Sequence, residues 1–166
     1  MRSIRWAAPL LLGLAACSPG RPEEQPRLIT CVDEEAHGRA TAAPAQNDLT
    51  VGPVTWPGLR SWAAADPDDF AGGQPGHYKV GIVVKAATTV TVSIAGPARL
   101  TYGQRAGYSP ASSITFQACD DFDTVYFGGF HAPERTCVPV TVEERGEPPV
   151  RATVSFFAGP CAGSSG

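Results

Sequence analysis

Thr89-Val90-Thr91-Val92-Ser93-Ile94 alternates polar and apolar side chains over six residues without interruption. Successive side chains of a β-strand point to opposite faces, so this alternation predicts a strand with one buried face and one solvent-facing face. Residues 78–84, with the sequence Tyr-Lys-Val-Gly-Ile-Val-Val, alternate nearly as well. We therefore predict that these two segments lie in a half-buried sheet.

Further strand candidates cover most of the chain after residue 47: residues 49–56, 100–102, 114–119, 124–130, 138–142 and 150–157. Turn-forming pairs such as Gly96-Pro97 separate them, at intervals of roughly 8–12 residues. Only residues 58–70 have room for a helical turn or two, with Asp66 as N-cap and Pro67 at the first helical position. This pattern predicts an all-β fold, an antiparallel β-sandwich of the immunoglobulin-like type with about seven to nine strands.

The period-two alternation also predicts which side chains form the core. They are Val80, Ile82, Val84, Val90, Val92, Ile94, Ile114, Phe116, Val138, Val140, Val142, Val154 and Phe156. Tyr126 and Phe127 are neighbours on one predicted strand, so they point to opposite faces. One of those faces is either covered by a second sheet or partly exposed as a binding surface.

The N-terminus has the features of a secretory signal. Arg2 and Arg5 are followed by an apolar run over residues 6–14 and by two small residues before Cys17. The run is much shorter than the roughly 20 residues that span a bilayer, which argues against a transmembrane helix. An ordinary cleaved signal with a coincidental cysteine is the alternative to the lipid anchor considered next.

Leu14-Ala15-Ala16-Cys17 resembles the lipobox of bacterial lipoproteins. The resemblance implies that Cys17 carries a thioether-linked diacylglycerol and becomes the mature N-terminus. Acyl chains contribute about 0.8 kcal/mol per buried CH₂, so two of them hold a protein on a membrane. The expected location is therefore the cell membrane, lipid-anchored and facing the outside of the cytoplasm.

The sequence predicts three regions along the chain. Residues 1–16 form the lipoprotein signal peptide, residues 17–46 form the lipidated cysteine and a proline-rich tether, and residues 47–166 form the β-sandwich domain. The apolar segment 28–32 interrupts the tether, and its cysteine suggests that it is stapled to the domain.

Four cysteines remain after Cys17: Cys31, Cys119, Cys137 and Cys161. An even number in an exported domain predicts two disulfides, for which three pairings are possible. The predicted hairpin from Cys137 to Cys161, reversing near Gly146, brings its ends together and favours a Cys137–Cys161 bridge, with Cys31–Cys119 then following by elimination. No Cys-x-x-Cys pair supports a zinc or thioredoxin-like site.

Charge argues against nucleic acid as a partner. The chain has a formal net charge of −3, and the part after residue 16 keeps eleven basic and sixteen acidic side chains. Lys79 and Lys85 are its only lysines. No basic patch for phosphates is expected.

Two acidic clusters are candidates for calcium or another hard cation, because such ions prefer several oxygen ligands. One comprises Asp66, Asp68 and Asp69, and the other comprises Asp120, Asp121 and Asp123. Neither matches the spacing of an EF-hand loop, so solvated turn residues are the competing interpretation. A zinc or copper site would require His37, His77 and His131 to converge.

The sequence contains no Gly-x-Ser-x-Gly, Ser-x-x-Lys or His-Glu-x-x-His motif, which argues against an enzyme. The pattern from Phe116 to Cys161 is similar to small uncharacterised lipoproteins of actinobacteria, which adds support for localisation and none for mechanism. We expect a non-enzymatic binding module for an unknown protein or small-molecule ligand. The alternatives are a calcium- or other metal-binding envelope module and, less favoured, a cell-envelope hydrolase.

Overall fold

The computed structural model describes residues 27–33, 36–41, 43–70, 76–103 and 109–162. The predicted signal peptide and Cys17 lie outside this part of the chain. No helix in the described segments has the length and apolar character needed to cross a bilayer.

The described residues form thirteen strands and two short 3₁₀ helices, η1 and η2. In chain order they are β1 (Arg27–Thr30), β2 (Ala36–Arg39), β3 (Leu49–Val51), β4 (Val54–Trp56), η1 (Leu59–Ala64), η2 (Pro67–Asp69), β5 (His77–Lys79), β6 (Ile82–Val84), β7 (Thr89–Ile94), β8 (Arg99–Leu100), β9 (Ser113–Gln117), β10 (Thr124–Tyr126), β11 (Gly129–His131), β12 (Thr136–Glu144) and β13 (Val150–Phe156). The predicted all-β sandwich is confirmed, with both helices inside residues 58–70.

Three sheets make up the sandwich. Sheet A has the order β1-β9-β7-β12-β13, sheet B the order β2-β10-β6-β4-β3, and sheet C the order β5-β11-β8. Pairing is antiparallel throughout, except that β1 and β9 run parallel. The exception arises because β1 reaches the sheet from the N-terminal segment rather than through a hairpin.

Strand β7 lies at the centre of sheet A and shows the predicted division between two faces. Val90 and Val92 are fully buried on the inner face. On the outer face the Thr91 and Thr115 hydroxyls lie 2.8 Å apart, and Ser93 makes the corresponding contact with β9. Hydroxyl pairs of this kind stabilise neighbouring strands without needing burial.

Every side chain that the alternation assigns to the core is buried. The set is Val80, Ile82, Val84, Val90, Val92, Ile94, Ile114, Phe116, Val138, Val140, Val142, Val154 and Phe156. Aromatic rings join them, with Trp62 stacked on Phe157 at a centroid distance of 5.7 Å. The sandwich therefore has one continuous core.

Two predicted strands are each broken into two. Residues 78–84 become β5 and β6, and residues 124–130 become β10 and β11. The breaks face each other, since the Val80 N–H donates to the Gly128 carbonyl at 3.1 Å. At this point residues 78–84 pass from sheet C to sheet B and residues 124–130 from sheet B to sheet C. These breaks raise the number of strands above the predicted seven to nine.

The boundary of the domain also differs from the prediction. Residues 17–46 are predicted to be a tether, yet β1 and β2 fall inside that range and pair with β9 and β10. The sequence analysis missed these strands because each has only four residues and the surrounding sequence is rich in proline. Within the described residues, the sandwich therefore includes the chain from Arg27 onward rather than from the predicted residue 47.

Both favoured disulfides are present. Cys31 is bonded to Cys119 with a Cα separation of 5.2 Å, and Cys137 to Cys161 with a separation of 5.8 Å. The first bridge fixes the segment after β1 to the end of β9, as expected for residues 28–32. The second ties the start of β12 to the segment that follows β13.

Gly128 and Gly129 allow two strands to approach each other closely. A Cβ at Gly129 would collide with the Tyr78 carbonyl oxygen and with Cα of Lys79. A Cβ at Gly128 would enter the space of the Tyr102 ring. Backbone atoms cannot move aside as a flexible side chain can. Glycine is therefore required at both positions where the chain passes from β10 in sheet B to β11 in sheet C.

We expect removal of the Cys31–Cys119 bridge to cost more stability than removal of the Cys137–Cys161 bridge. The bridges span 88 and 24 residues, and loop entropy assigns them about 4.6 and about 3.5 kcal/mol. Paired Cys→Ser variants of each bridge, compared by denaturant unfolding, test this order. Equal losses, or an unchanged midpoint for either pair, would contradict it.

Gly129→Ala should destabilise the domain by at least about 2 kcal/mol, because its methyl group meets backbone on the neighbouring strand. Gly81→Ala is the matched control. A Cβ there has ordinary contacts, the nearest being the Tyr126 carbonyl oxygen at 3.6 Å. Thermal unfolding of both variants gives the measurement, and similar melting temperatures would refute the close approach.

Candidate functional site

A groove of about 510 Å³ opens where an edge of sheet A faces an edge of sheet B. Strand β13 ends sheet A and strand β3 ends sheet B. Consecutive residues line the groove from both sides, 49–52 from β3 and its turn and 150–155 from β13. Because side chains alternate between faces, a strand that contributes consecutive residues presents its backbone edge to the groove.

Helix η1 and the C-terminal segment complete the walls. Leu59, Arg60 and Ala63 line the groove from η1, and the Gly159 N–H donates to the Ala63 carbonyl at 2.9 Å. Cys161 also lines it, so the Cys137–Cys161 bridge holds this wall in place. The groove is therefore bounded by elements that are hydrogen-bonded or covalently fixed.

The hydrogen bonds of β12 define which backbone groups of β13 face the groove. The Pro139 carbonyl accepts from the Ala95 N–H at 3.0 Å, so the backbone carbonyl of Pro139 points toward β7. The polar groups of its neighbour Val140 then point toward β13, where Val140 is paired with Ala152. Ala152 in turn directs its N–H and C=O back to β12.

Alternate residues of β13 direct their polar groups the opposite way. Arg151, Thr153 and Ser155 consequently present their N–H and C=O groups on the side away from β12, where the described residues supply no further strand. Backbone donors and acceptors at a sheet edge form a template for another strand. The groove thus combines a recess with a hydrogen-bonding edge.

The charge of the groove is opposite to that of the whole chain. Arg60 and Arg151 line it, and none of the described lining residues is Asp or Glu, whereas the chain carries a net charge of −3. The Arg60 Nε–H donates to the Asp48 carbonyl at 2.8 Å, which holds that guanidinium at the rim. A ligand with carboxylates therefore fits this surface better than a cationic one.

The predicted calcium site is not assembled. Asp120, Asp121 and Asp123 are exposed, and the described residues contain no group of three His, Cys, Asp or Glu side chains arranged for a metal ion. Asp123 instead accepts from the Ala86 N–H at 2.9 Å, which supports the turn between β6 and β7.

The second acidic cluster has a similar structural role. The Asp66 carboxylate accepts from the Asp68 N–H at 3.1 Å and caps η2, with Pro67 at the first helical position. This is the cap that the sequence predicts. Asp68 and Asp69 follow in the first turn as exposed residues.

Two of the three histidines come together. His77 on β5 and His131 on β11 are directly opposite in the register, with ring centroids 4.5 Å apart and planes inclined by 30°. His37 lies on β2, and its side chain is outside the described part of the chain. The pair packs as a cross-strand contact, and among the described residues no third donor completes a metal site.

The two neighbouring aromatic side chains of the predicted strand 124–130 differ in burial. Tyr126, the last residue of β10, is fully buried, whereas Phe127 is 52 % exposed. Phe127 lies in the break between β10 and β11, so its exposed ring stands beside the strand and not on one of its faces. Nearby, the Arg39 guanidinium lies 5.0 Å from the centroid of the Phe122 ring, a cation–π contact that links β2 to the loop before β10.

Two buried tyrosines have strongly raised pKa values, and both serve the fold. The Tyr102 hydroxyl donates to the Val80 carbonyl at 2.9 Å and accepts from Trp56 Nε1 at 3.2 Å. Burial raises the pKa of Tyr102, the Trp56 hydrogen bond opposing the shift. Burial also raises the pKa of Tyr126, whose hydroxyl donates to the Gln117 carbonyl at 2.5 Å. Both phenols stay protonated, so they act as hydrogen-bonding core residues.

Sequence reasoning did not identify the groove. Its walls come from strands about a hundred positions apart in the sequence, and no motif marks them. One local signal was present, because Gly52-Pro53 interrupts residues 49–56 in a way that indicates a β-bulge or a sheet edge. The structure shows there a two-residue reversal between β3 and β4, with β3 at the end of sheet B.

Comparison with known proteins finds no matching family model, no similar curated protein and no similar solved structure.

Stability should fall as the pH rises above 10, the ordinary pKa of tyrosine. In that range the unfolded chain releases the phenolic protons of Tyr102 and Tyr126 while the folded chain retains them, so the unfolded state binds fewer protons. Each such tyrosine lowers the free energy of unfolding by about 1.4 kcal/mol per pH unit.

Urea unfolding between pH 8 and 11 measures this slope. Tyr102→Phe is the control, since removing one of the two phenols should make the slope less steep. That variant also loses about 1–3 kcal/mol at all pH values, because Trp56 Nε1 and the Val80 carbonyl lose their shared partner. A slope unaffected by Tyr102→Phe would contradict the assignment.

Proposed function

We propose that this chain is a lipid-anchored lipoprotein on the outer side of the cytoplasmic membrane that acts as a non-enzymatic binding module. Its binding site is the groove between β3 and β13. The observation that carries the proposal is the pair of strand edges that line one recess, together with arginines in a chain of negative net charge.

The anchor is supported by the lipobox-like sequence at residues 14–17. Between Cys17 and β1 at Arg27 lie nine residues, of which Pro19, Pro22 and Pro26 favour an extended spacer. Ten residue-to-residue steps of about 3.3 Å span roughly 33 Å, so the sandwich remains close to the membrane surface. Two disulfides suit an oxidising compartment of this kind.

The groove has the properties of a binding site. Its volume of about 510 Å³ falls within the roughly 300–1,000 Å³ of small-molecule clefts. Apolar residues such as Leu49 and Val154 line it beside polar backbone edges and the two arginines. Its walls are fixed by the Cys137–Cys161 bridge and by η1, so little ordering is required on binding.

The roles of several ionisable groups support binding rather than catalysis. The two tyrosines with strongly raised pKa values are enclosed in hydrogen bonds, and neither lines the groove. Asp66 and Asp123 cap backbone amides. The charged side chains in the groove are arginines, whose planar guanidinium groups suit recognition of carboxylates.

Replacement of the lipidation site tests the anchor. Cys17→Ser should move the protein from the detergent-extracted membrane fraction to the soluble or unprocessed fraction, because serine cannot form the thioether. Cys31→Ser is the matched control, since it removes another N-terminal cysteine and should leave membrane retention intact. Membrane retention of the Cys17→Ser protein would exclude the lipid anchor.

Hydrogen–deuterium exchange tests the groove. The full chain in detergent is compared alone and with two probe sets, a mixture of cell-wall oligosaccharides and a mixed library of linear peptides. Slower exchange is expected over residues 49–52 and 150–155, and no change at β1, which is the opposite edge of sheet A. Protection centred on Phe127, or none with either probe set, would reject the groove as the binding site.

A further inference from the structure

We infer that the groove takes an extended, acidic segment of a partner polypeptide, which binds by adding a strand to β13. This inference rests on the proposed function and specifies its ligand class. Peptides that bind in this way gain affinity from main-chain hydrogen bonds and specificity from alternate side chains.

The backbone of β13 supplies the hydrogen bonds. Arg151, Thr153 and Ser155 direct their N–H and C=O groups away from β12, and residues 150–155 all line the groove. Six strand residues extend roughly 20 Å at about 3.3 Å each. Three residues with both groups available are enough to pair with a segment of five or six residues.

An extended polypeptide strand matches this pattern of backbone groups. Donors and acceptors along the edge recur at every second residue, a spacing of roughly 6.6 Å. The backbone of an extended peptide has the same repeat. A compact small molecule would satisfy one such residue and leave the others without a partner in the recess.

The side chains around the edge of β13 favour a peptide whose side chains alternate between apolar and acidic. Leu49, Val51 and Val154 provide an apolar lining on the inner side of the groove, whereas Arg60 and Arg151 lie at its exposed rim. An added strand directs alternate side chains to these two environments. The favoured segment therefore alternates apolar residues with Asp or Glu.

The chain's own N-terminal segment is a poor occupant. Residues 18–26 contain Pro19, Pro22 and Pro26, which cannot donate ladder hydrogen bonds. The segment also enters the fold at β1, which is separated from β13 by the three other strands of sheet A. A second copy of the chain would bring two pairs of groove arginines together, which like-charge repulsion disfavours.

The test begins with selection of binders from a phage-displayed library of linear twelve-residue peptides on the full chain in detergent. Selected sequences should be rich in Asp and Glu at alternate positions. Thr153→Pro should then weaken a selected peptide at least tenfold, because it removes an outward N–H. Thr153→Ala removes the same side chain but keeps that N–H, so it should weaken the peptide less than Thr153→Pro does.

Proline is tolerated at an edge position whose N–H faces outward, and the melting temperature of Thr153→Pro reports whether the fold survives. N-methylation of the peptide, one residue at a time, gives a readout that leaves the protein unchanged. Loss of affinity at every second peptide residue is expected from a strand. Loss at no position, or at positions without a period of two, would overturn the inference.

Arg60→Ala and Arg151→Ala test the charge preference. Each should weaken an acidic peptide about threefold to tenfold at low salt, with a smaller effect at 0.5 M salt. Lys85→Ala is the control, because Lys85 is exposed and does not line the groove. Equal effects of all three substitutions would contradict recognition by the groove arginines.

The remaining outcomes separate this inference from the proposed function. If no peptide binds while cell-wall oligosaccharides protect residues 150–155 from exchange, strand addition is wrong and the binding module stands. Concentration-dependent dimers in analytical ultracentrifugation that Thr153→Pro abolishes would replace the partner segment with a second copy. Binders that ignore Thr153→Pro and protect another surface would overturn both proposals.

Discussion

The alternation along β7 is the constraint on which the sandwich depends. A shift of one residue in its pairing would turn Val90 and Val92 to solvent and bring the Thr91 hydroxyl into the core, so the register on both neighbouring strands is fixed. Strand β7 fixes the register of β9 and β12, and these two strands in turn fix the register of the outer strands β1 and β13. The edge that lines the groove therefore follows from a six-residue pattern at the centre of the sheet.

The sequence analysis correctly predicted the features that depend on residues close together in the chain. Each side chain that the alternation assigned to the core is buried, because burial follows period two, and the Asp66 cap was identified because its hydrogen bond spans two residues. The Cys137–Cys161 bridge was favoured because a hairpin brings its ends together. The strand breaks at Val80 and Gly128 were missed, since their cause is the contact between two distant segments, and neither sequence alone shows it. The tether boundary was missed for the same reason, because β1 is held by a partner 87 residues away.

The candidate site was even harder to predict from the sequence than the strand breaks and the tether boundary. Asp120, Asp121 and Asp123 attracted attention because carboxylates are chemically conspicuous, yet Asp123 is engaged with a turn amide. The groove depends on main-chain groups, which every residue type carries, so their availability is a property of topology. A sequence can reveal a catalytic motif, but the end position of β13 in its sheet emerges only from the pairing of five strands.

The two edges of sheet A are protected differently, and the difference bears on function. Strand β1 is short, and the bridge at Cys31 and the hydrogen bond from Arg27 Nη2 to the Tyr102 carbonyl hold it in place. Strand β13 has seven residues and an edge free of further strands in the described chain. Open edges promote aggregation unless they are charged or covered. Here Arg151 adds a charge to the edge of β13. Strand β3 and helix η1 lie on the other side of the groove, so they block the sheet of another folded domain from reaching that edge. Under the proposed strand addition, a single extended chain would enter this recess between β13, β3 and η1, whereas the sheet of another folded domain would not.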